Sequence, residues 1–397
     1  MNFKDYAKKP IFFEKNRVFR VYLGGKLFSD FFGDNSQDSF YPEEWICSST
    51  KALNDGSTDE FEGVSKIKGT DIYFSELIEA EKELMLGNRE GLDVLVKALD
   101  SAIRLPVQAH PDKEFSRKHF NSEFGKAEAW LVLATRPDAH IFFGFKDDIT
   151  KEDLEKAVND SEHDKDAMER LVNKFPVTAG DVYFIPAKAI HAIGKGCLIL
   201  EIQEPTDFTI QPERLCGDYR LSDRQMYLDL DKETALSVFD YSYNKDRVLK
   251  ECKKTPKVIS NENNCVKTSI ISKEDTPCFS LERYEINNGK TETLTDTEYP
   301  YEFIVKVDNP SSEFSYKLTA LGNDGTRKDL GGSVIMTKAL SEAKGIVYEK
   351  EVEEENAAVQ DESSIPKIAY NGTKVLIFVI DTLFSRIFSY LWRTNVA

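Results

Sequence analysis

Histidine is scarce in this sequence: there are five in 397 residues, and none after position 191. A site built on imidazole therefore belongs to the first half of the chain. The six cysteines (Cys47, Cys197, Cys216, Cys252, Cys265, Cys278) include no C-x-x-C pair. That disfavours a thiolate zinc site and a disulfide framework, and points to reduced thiols in a cytoplasmic setting. Positive charge is also short. With 52 Lys and Arg against 69 Asp and Glu, the formal net charge is −17, and no basic surface is implied for a nucleic-acid backbone. A small anionic substrate stays compatible, because lysines and arginines can gather in a pocket whatever the global sign.

Long apolar runs are few. The N-terminal MNFKDYAKKPIFFEKNR has neither the apolar core nor the small-residue cleavage site of a secretory signal. The C-terminal TKVLIFVIDTLFSRIFSYLWRTNVA is the one stretch that suggests a membrane, yet Asp381 and Arg386 interrupt it, and each is costly at a bilayer centre. VLIFVI reads as a buried strand, and LFSRIFSYLW after it as an amphipathic helix.

What the chain does contain is many short strands with Gly- and Pro-rich turns and no alternating βα pattern. This predicts a mainly β architecture, a sandwich or jelly roll. Helical spacing over SELIEAEKELMLG and GLDVLVKALDSAI places one helical insertion at about 75–104. DDITKEDLEKAV and DKDAMERLVNKF place a second at about 148–175. FGKAEAWLVLAT ends in a strand, HIFFGF (140–145) is another, and GDVYFIPAKAIHAIGKGCLILEIQ gives two or three more. After Tyr241 helical signals fade until near the end, and FSLERYEI, YEFIVKV, FSYKLTAL and SVIMTKAL read as a second set of strands. GGSVIMTKA (331–339) echoes GDVYFIPAKA (180–189), which suggests two related β-domains, 1–240 and 241–397. The acidic run YEKEVEEENAAVQDESS (348–364) reads as a solvated loop.

In RLPVQAHPDKEF (104–115), Gln108 and His110 share one face of an extended segment just before Pro111 and Asp112 break it. Alone, the pair is either a solvated polar edge or part of a site. His163 and His119 lie in polar surroundings and His140 opens a strand, leaving His110 and His191 as the pair of interest. His191 has apolar or small neighbours, as a core histidine bonded to a carbonyl would. Glu128, between alanines in GKAEAW at a strand start, is out of place in a core and reasonable on a metal. Gln108, His110, Glu128 and His191 together offer one amide oxygen, two imidazoles and a carboxylate. Such N/O donors suit Zn²⁺, and also Mn²⁺, Co²⁺ or Ni²⁺.

QAHPDK, FNSEFGKAEAW and GDVYFIPAKAIHAIGKGCLILEIQEPTDFT, with GGKLFSDFFGD and FYPEEWICSS before them, resemble in order the motif series of the class I mannose-6-phosphate isomerases. The resemblance runs from about Val18 to Arg214 and is only general beyond Tyr241. It implies a metal-binding cupin domain with helical insertions and a second, metal-free cupin-like domain. It also implies one Zn²⁺ per chain on Gln108, His110, Glu128 and His191, a substrate-pocket lysine at Lys126, and a basic residue near the phosphate at Lys97. Two positions depart from the family pattern. Pro106 stands where the family often has Ser, and Gln211 where it has a catalytic arginine. Gln cannot carry a fixed charge, so Arg214, three residues on, is the expected substitute.

The activity implied is aldose–ketose interconversion of mannose 6-phosphate and fructose 6-phosphate through a cis-enediolate. It needs a base that shuttles a proton and positive charge for the developing oxyanion. Lys126 and Arg214 are the expected catalytic cations; Asp207, Glu201 and Glu44 are candidates for the base. The alternatives are an inactive cupin that senses a sugar phosphate, and another metal cupin such as an epimerase or oxygenase.

Overall fold

The computed structural model describes residues 3–7, 11–32, 35–87, 89–262 and 265–287, and then the strand segments 293–294, 301–307, 315–321, 327–329, 333–337, 346–351 and 374–382. Two seven-stranded antiparallel sheets dominate. The first runs, in spatial order, Lys253–Lys254, Val182–Ile185, Glu128–Thr135, Cys197–Gln203, Leu95–Asp100, Glu43–Ile46, Arg17–Val18. A three-stranded sheet of Val172–Pro176, His140–Phe145 and His191–Ile193 completes the same barrel. It is widened by the bridges Gln108–His191 and Ala109–Ile210. The fold is mainly β and of the expected jelly-roll kind.

The first sheet is buried on both faces, and its alternating side chains serve two cores. On Leu95–Asp100, Leu99 joins the core that holds Trp130, Ile199 and Phe143. Val96 and Ala98 point the other way, into a core with Phe74, Leu77, Ile270 and Phe279. This corrects the helical reading of 91–104. The helices of that insertion are Phe74–Ala80 and Lys82–Leu86, and the chain then becomes a strand. All six residues of Leu95–Asp100 are buried, so no polar alternation marks the strand, and the chance spacing of Leu92, Leu95, Val96 and Leu99 imitates a helix.

The second insertion is also half as helical as its spacing predicts. Lys151–Asp160 is a helix with Thr150 and Asp153 forming a reciprocal cap. DKDAMERLVNKF is instead a series of turns leading into the strand Val172–Pro176. Ala167 and Met168 are buried, and that is the only helix-like feature they carry.

The second large sheet orders Ile11–Phe12, Ser333–Thr337, Tyr301–Val307, Lys374–Thr382, Phe279–Asn287, Cys265–Ile271, Lys257–Glu262. A four-stranded sheet, Thr293–Leu294, Ile346–Glu351, Ser315–Leu321 and Arg327–Asp329, accompanies it. Neither sheet respects a cut at 240. Ile11 pairs with Ile335 of the second, while Lys253 pairs with Tyr183 of the first. A short helix, Lys245–Arg247, and the wider turn Val248–Cys252 also follow Tyr241, where no helical signal was expected. The acidic run begins inside the strand Ile346–Glu351; its remainder and LFSRIFSYLW lie outside the described residues. Among the described residues, no helix is long and apolar enough to cross a membrane.

Candidate active site

One transverse row of the first sheet builds the floor of the site. Trp45 pairs with Lys97, Lys97 with Glu201, Glu201 with Trp130, and Trp130 with Tyr183. Directly paired residues on antiparallel strands project to the same face, so a lysine and a glutamate are carried into the barrel between aromatic rings. Two residues along the same faces stand Glu128, beside Trp130, and Glu43, beside Trp45.

Glu128, His110 and His191 meet at one end. All three are fully buried, and one donor atom from each lies within 4.8 Å of the others. His110 Nε2 is 3.1 Å from Glu128 Oε2, and His191 Nε2 is 3.3 Å from Glu128 Oε1. The Nδ1 atoms face backbone carbonyls instead: His110 that of Phe208 at 2.9 Å, His191 that of Ala189 at 2.8 Å. A carbonyl only accepts, so each ring carries its proton on Nδ1 and turns an Nε2 lone pair towards Glu128. Both Glu128 oxygens are then left without a hydrogen-bond donor. Two imidazole nitrogens and a buried carboxylate converge as the ligands of one metal ion would, and the carbonyl-oriented rings are the usual support of imidazole ligands. These residues fit a metal ion. Gln108 adjoins them, its amide 3.3 Å from His191 Nε2.

Electrostatics agree. Burial and the neighbouring Lys126 push His110 down to about 3, which keeps its ring neutral and able to ligate. Burial alone would raise Glu128; the Lys126 ammonium, 3.5 Å from Oε2, opposes it, and the carboxyl is held well below the usual range. Lys126 stands at the edge of the cluster, Nζ 3.2 Å from His110 Nε2, 3.5 Å from Glu128 Oε2 and 3.4 Å from Thr209 Oγ1. Burial lowers its pKa.

Beyond Gln108 and Lys126 opens a cleft with a cavity volume of about 90 Å³. Its charged lining consists of Arg20, Lys97 and Lys126 against Glu43, Glu201 and Asp207. Lys97 Nζ lies 3.7 Å from Glu43, 3.6 Å from Glu201 and 3.9 Å from Asp207, and 4.5 Å from the Trp45 ring centre. Glu201 accepts the Trp130 indole N–H at 2.9 Å. Burial and then Glu128 push its pKa up to about 7, against the pull of Lys97 and Lys126. Glu43 behaves oppositely. Burial would raise it, but Arg20 and Lys97 bring it down to about 2, with Trp45 and Tyr22 donating to it.

Arg214 does not line this cleft. Its guanidinium is held by Glu162 at 2.8 Å, Asp223 at 2.6 Å and the Leu221 carbonyl at 2.8 Å. The expectation that it replaces a charge at position 211 is corrected: those carboxylates fix it on the helix-capping side. Gln211 does line the cleft, its amide donating to the Gln225 carbonyl. The guanidinium in the cleft is that of Arg20, which the sequence reading missed. It reaches Glu43 at 3.1 Å, Asp207 at 3.1 Å and Asn54 at 2.8 Å. Burial opposes its charge, but Asp207 and Glu43 prevail and hold it firmly protonated. Glu44 points away, paired with Arg17 at 2.7 Å, while Glu43 takes the inward place. Strand alternation from Trp45, fully buried, would have identified Glu43. Arg20 in VFRVYLGG gave no signal, because it sits after a two-residue strand in an irregular segment. Pro106 also lines the cleft; the hydroxyl near Lys126 is that of Thr209.

No family model matches the chain. It is 27% identical over 282 residues to a mannose-6-phosphate isomerase of Streptococcus mutans, covering 71% of this chain and 80% of that protein. To the mannose-6-phosphate isomerase ManA of Bacillus subtilis it is 38% identical over 137 residues, 34% of this chain and 41% of the relative. The crystal structure of the mannose 6-phosphate isomerase from Bacillus subtilis superposes with a TM-score of 0.66 at 18% identity, covering 93% of this chain and 99% of the other. A zinc-bound mannose 6-phosphate isomerase superposes with a TM-score of 0.58 at 13% identity, covering 93% and 98%. In sequence the chain is similar to mannose-6-phosphate isomerases, and in fold to their solved structures.

Proposed function

We propose that this protein is a Zn²⁺-dependent aldose–ketose isomerase that interconverts mannose 6-phosphate and fructose 6-phosphate. The observation that carries the reading is Glu128, a fully buried carboxylate with no hydrogen-bond donor on either oxygen, flanked by two imidazoles at 3.1 and 3.3 Å beside a cleft that carries Arg20, Lys97 and Lys126 as well as three carboxylates. The relatives named for this activity support the substrate. His110, Glu128, His191 and Gln108 would hold the ion, one per chain; other divalent metals suit the same donors. When bound, Zn²⁺ supplies a Lewis acid that polarises sugar oxygens.

The remaining work falls to the chain's own side chains. Isomerisation moves a proton between C1 and C2, and an acid–base group serves best when its pKa lies near the working pH. Glu201, at about 7, meets that requirement and lines the cleft. Arg20 supplies a charge that no accessible pH removes, and Lys97 and Lys126 add two more for the phosphate and the enediolate. The indole and phenol rings around Glu43 and Glu201 keep water from these groups. An inactive sugar-phosphate sensor is not favoured, since donors and cations are kept together. We also infer a cytoplasmic setting, supported by the five described cysteines, all buried and unpaired.

The test measures zinc content and mannose-6-phosphate isomerase activity on the same protein, purified without added metal. About one zinc per chain with turnover, and loss of both in His191→Ala, is expected. Absence of zinc and turnover after divalent metals are supplied would refute the metal-enzyme reading. Zinc with turnover of free sugars only would place the chain among other metal cupins.

A further inference from the structure

The ligand-bearing segment Val107–His110 is held on two sides. On one, Gln108 and His191 exchange backbone hydrogen bonds of 2.9 Å. On the other, the segment Phe208–Glu213 runs antiparallel to it. The Phe208 carbonyl faces His110 Nδ1 at 2.9 Å, and Ile210 exchanges two backbone bonds of 3.0 Å with Ala109. The third point of attachment is a side chain. Glu213 accepts the Val107 N–H through Oε1, and receives Arg104 through Oε1 at 2.6 Å and Oε2 at 3.1 Å.

Glu213 is almost wholly buried, with a side chain 1% exposed, and the partners it holds, Arg104 and Val107, do not line the cleft. Val107 is fully buried as well, so its N–H has no water to turn to. Arg104 is further anchored by Glu169 at 2.7 Å and by the Leu105 carbonyl at 2.8 Å. Glu213 therefore ties a rigid anchor to the peptide group immediately before Gln108. A slip at that point would displace Gln108 and His110 together, because both follow on the same short extended run.

We propose that Glu213 is a positioning residue for the metal centre: its carboxylate sets the placement of the Val107–His110 segment, and through it the geometry of Gln108 and His110. It acts through the backbone and touches neither ion nor substrate. The inference rests on the reading of His110, Glu128 and His191 as a metal centre.

Two conservative variants separate reach from charge. Glu213→Gln keeps the length of the arm and an oxygen for the Val107 N–H. Glu213→Asp keeps the charge but withdraws it by one methylene, too short to serve Val107 and Arg104 together. Co²⁺ is the probe, added to the metal-free full-length chain, with affinity and visible absorption both recorded and thermal stability followed in parallel. Glu213→Asp should bind Co²⁺ about 10–100-fold more weakly, the usual cost of losing an outer support of a ligand, with an altered absorption band. Glu213→Gln should stay within about threefold of wild type and keep its band. Wild-type affinity and spectrum in both variants would overturn the inference while leaving the metal centre intact. So would a larger loss in Glu213→Gln than in Glu213→Asp, since charge and not reach would then be the cause. Failure of the wild-type chain to bind Co²⁺ would instead overturn the metal reading on which it rests.

Discussion

Lys97 and Glu201 are directly paired on adjacent antiparallel strands, with Nζ 3.6 Å from Oε1, at the centre of a sheet buried on both faces. Neither is neutralised simply by the other. Lys97 faces three carboxylates at 3.6–3.9 Å, none within hydrogen-bond reach, while Glu201 spends one oxygen on the Trp130 indole. A buried ion pair of this kind contributes little net stability, because desolvation offsets the attraction. Its placement beside the metal-type cluster gives it a chemical use instead.

If Glu201 carries the proton, Glu201→Gln keeps the Trp130 contact and removes the base. The expected loss is about 10²–10⁴-fold in kcat with a small change in KM. Wild-type activity should rise with pH as the carboxyl ionises. Glu128 is the second cause of the raised pKa, so a cation neutralising Glu128 should move the inflection below the metal-free value of about 7. Steady-state pH profiles of the loaded enzyme, against a Trp-fluorescence titration of the metal-free protein, check both points. Persisting activity in the glutamine variant would dismiss Glu201 from this role.

The same shift predicts a stability gain. A carboxyl raised in the folded state binds its proton more tightly there, so its unfavourable effect is absent below the unfolded pKa and grows as pH rises through about 7. Metal-free Glu201→Gln should therefore be more stable than wild type at pH 8, by up to about 3 kcal/mol, and nearly equal at pH 4. Denaturant midpoints at the two pH values decide it; equal differences at both would mean the titration is not the cause.

Arg20 and Arg214 should behave differently. Arg20→Gln removes the cleft's one guanidinium among the described residues and leaves Glu43 and Asp207 facing each other across it. A loss of about 10²–10³-fold in kcat/KM is expected, in the range seen when a charge-stabilising donor is removed. Arg214→Ala breaks pairs with Glu162 and the largely exposed Asp223. Exposed pairs are worth about 0–1 kcal/mol each, so melting temperature should fall slightly while activity stays within about threefold. Kinetics and thermal melts of the two variants side by side test this; equal loss of activity would restore Arg214 to the site.

The metal-type residues were legible because each breaks a local rule. Glu128 among alanines and His191 within an apolar run are polar groups where burial predicts none, and Gln108 and His110 share a face by simple alternation. Arg20 breaks no such rule: an arginine in a loop is ordinary until the fold shows what it reaches. Arg214 was misjudged because sequence proximity to Gln211 says nothing about direction: Gln211 lines the cleft, while the Arg214 guanidinium is paired with Glu162 and Asp223. The strand Leu95–Asp100 was lost for a third reason. A strand serving two cores has no polar face, and helix and strand then differ only in what they pair with.

Glu43 predicts acid lability. Burial would raise its pKa, but Arg20 and Lys97 bring it down to about 2. A depressed carboxyl contributes stability that is present above the unfolded pKa of about 4.5 and is lost as pH falls towards about 2. Glu43→Gln should cost about 2–4 kcal/mol at pH 7, since it leaves two buried cations short of a partner. It should cost much less at pH 3. Unfolding curves at both pH values check this, and a pH-independent cost would assign the loss to packing against Tyr22 and Trp45.

Metal removal is the remaining lever. Without a metal ion, Glu128 is a buried carboxylate with no hydrogen-bond donor on either oxygen and only Lys126, at 3.5 Å, as a nearby fixed cation. An ion that binds only the folded state stabilises it by mass action, about 2.7 kcal/mol at a free concentration one hundred times Kd. Chelation should therefore lower the melting temperature and abolish isomerase activity, and added Zn²⁺ should restore both. Glu128→Gln removes the buried charge as well as a ligand. The metal-free variant should melt lower than metal-free wild type, because a carboxyl held below its usual range stabilises the fold once ionised, and it should gain far less on addition of Zn²⁺. Differential scanning calorimetry with and without Zn²⁺ makes the comparison. A variant that gains as much as wild type would show that Glu128 is not a ligand, and the two imidazoles would then need another partner.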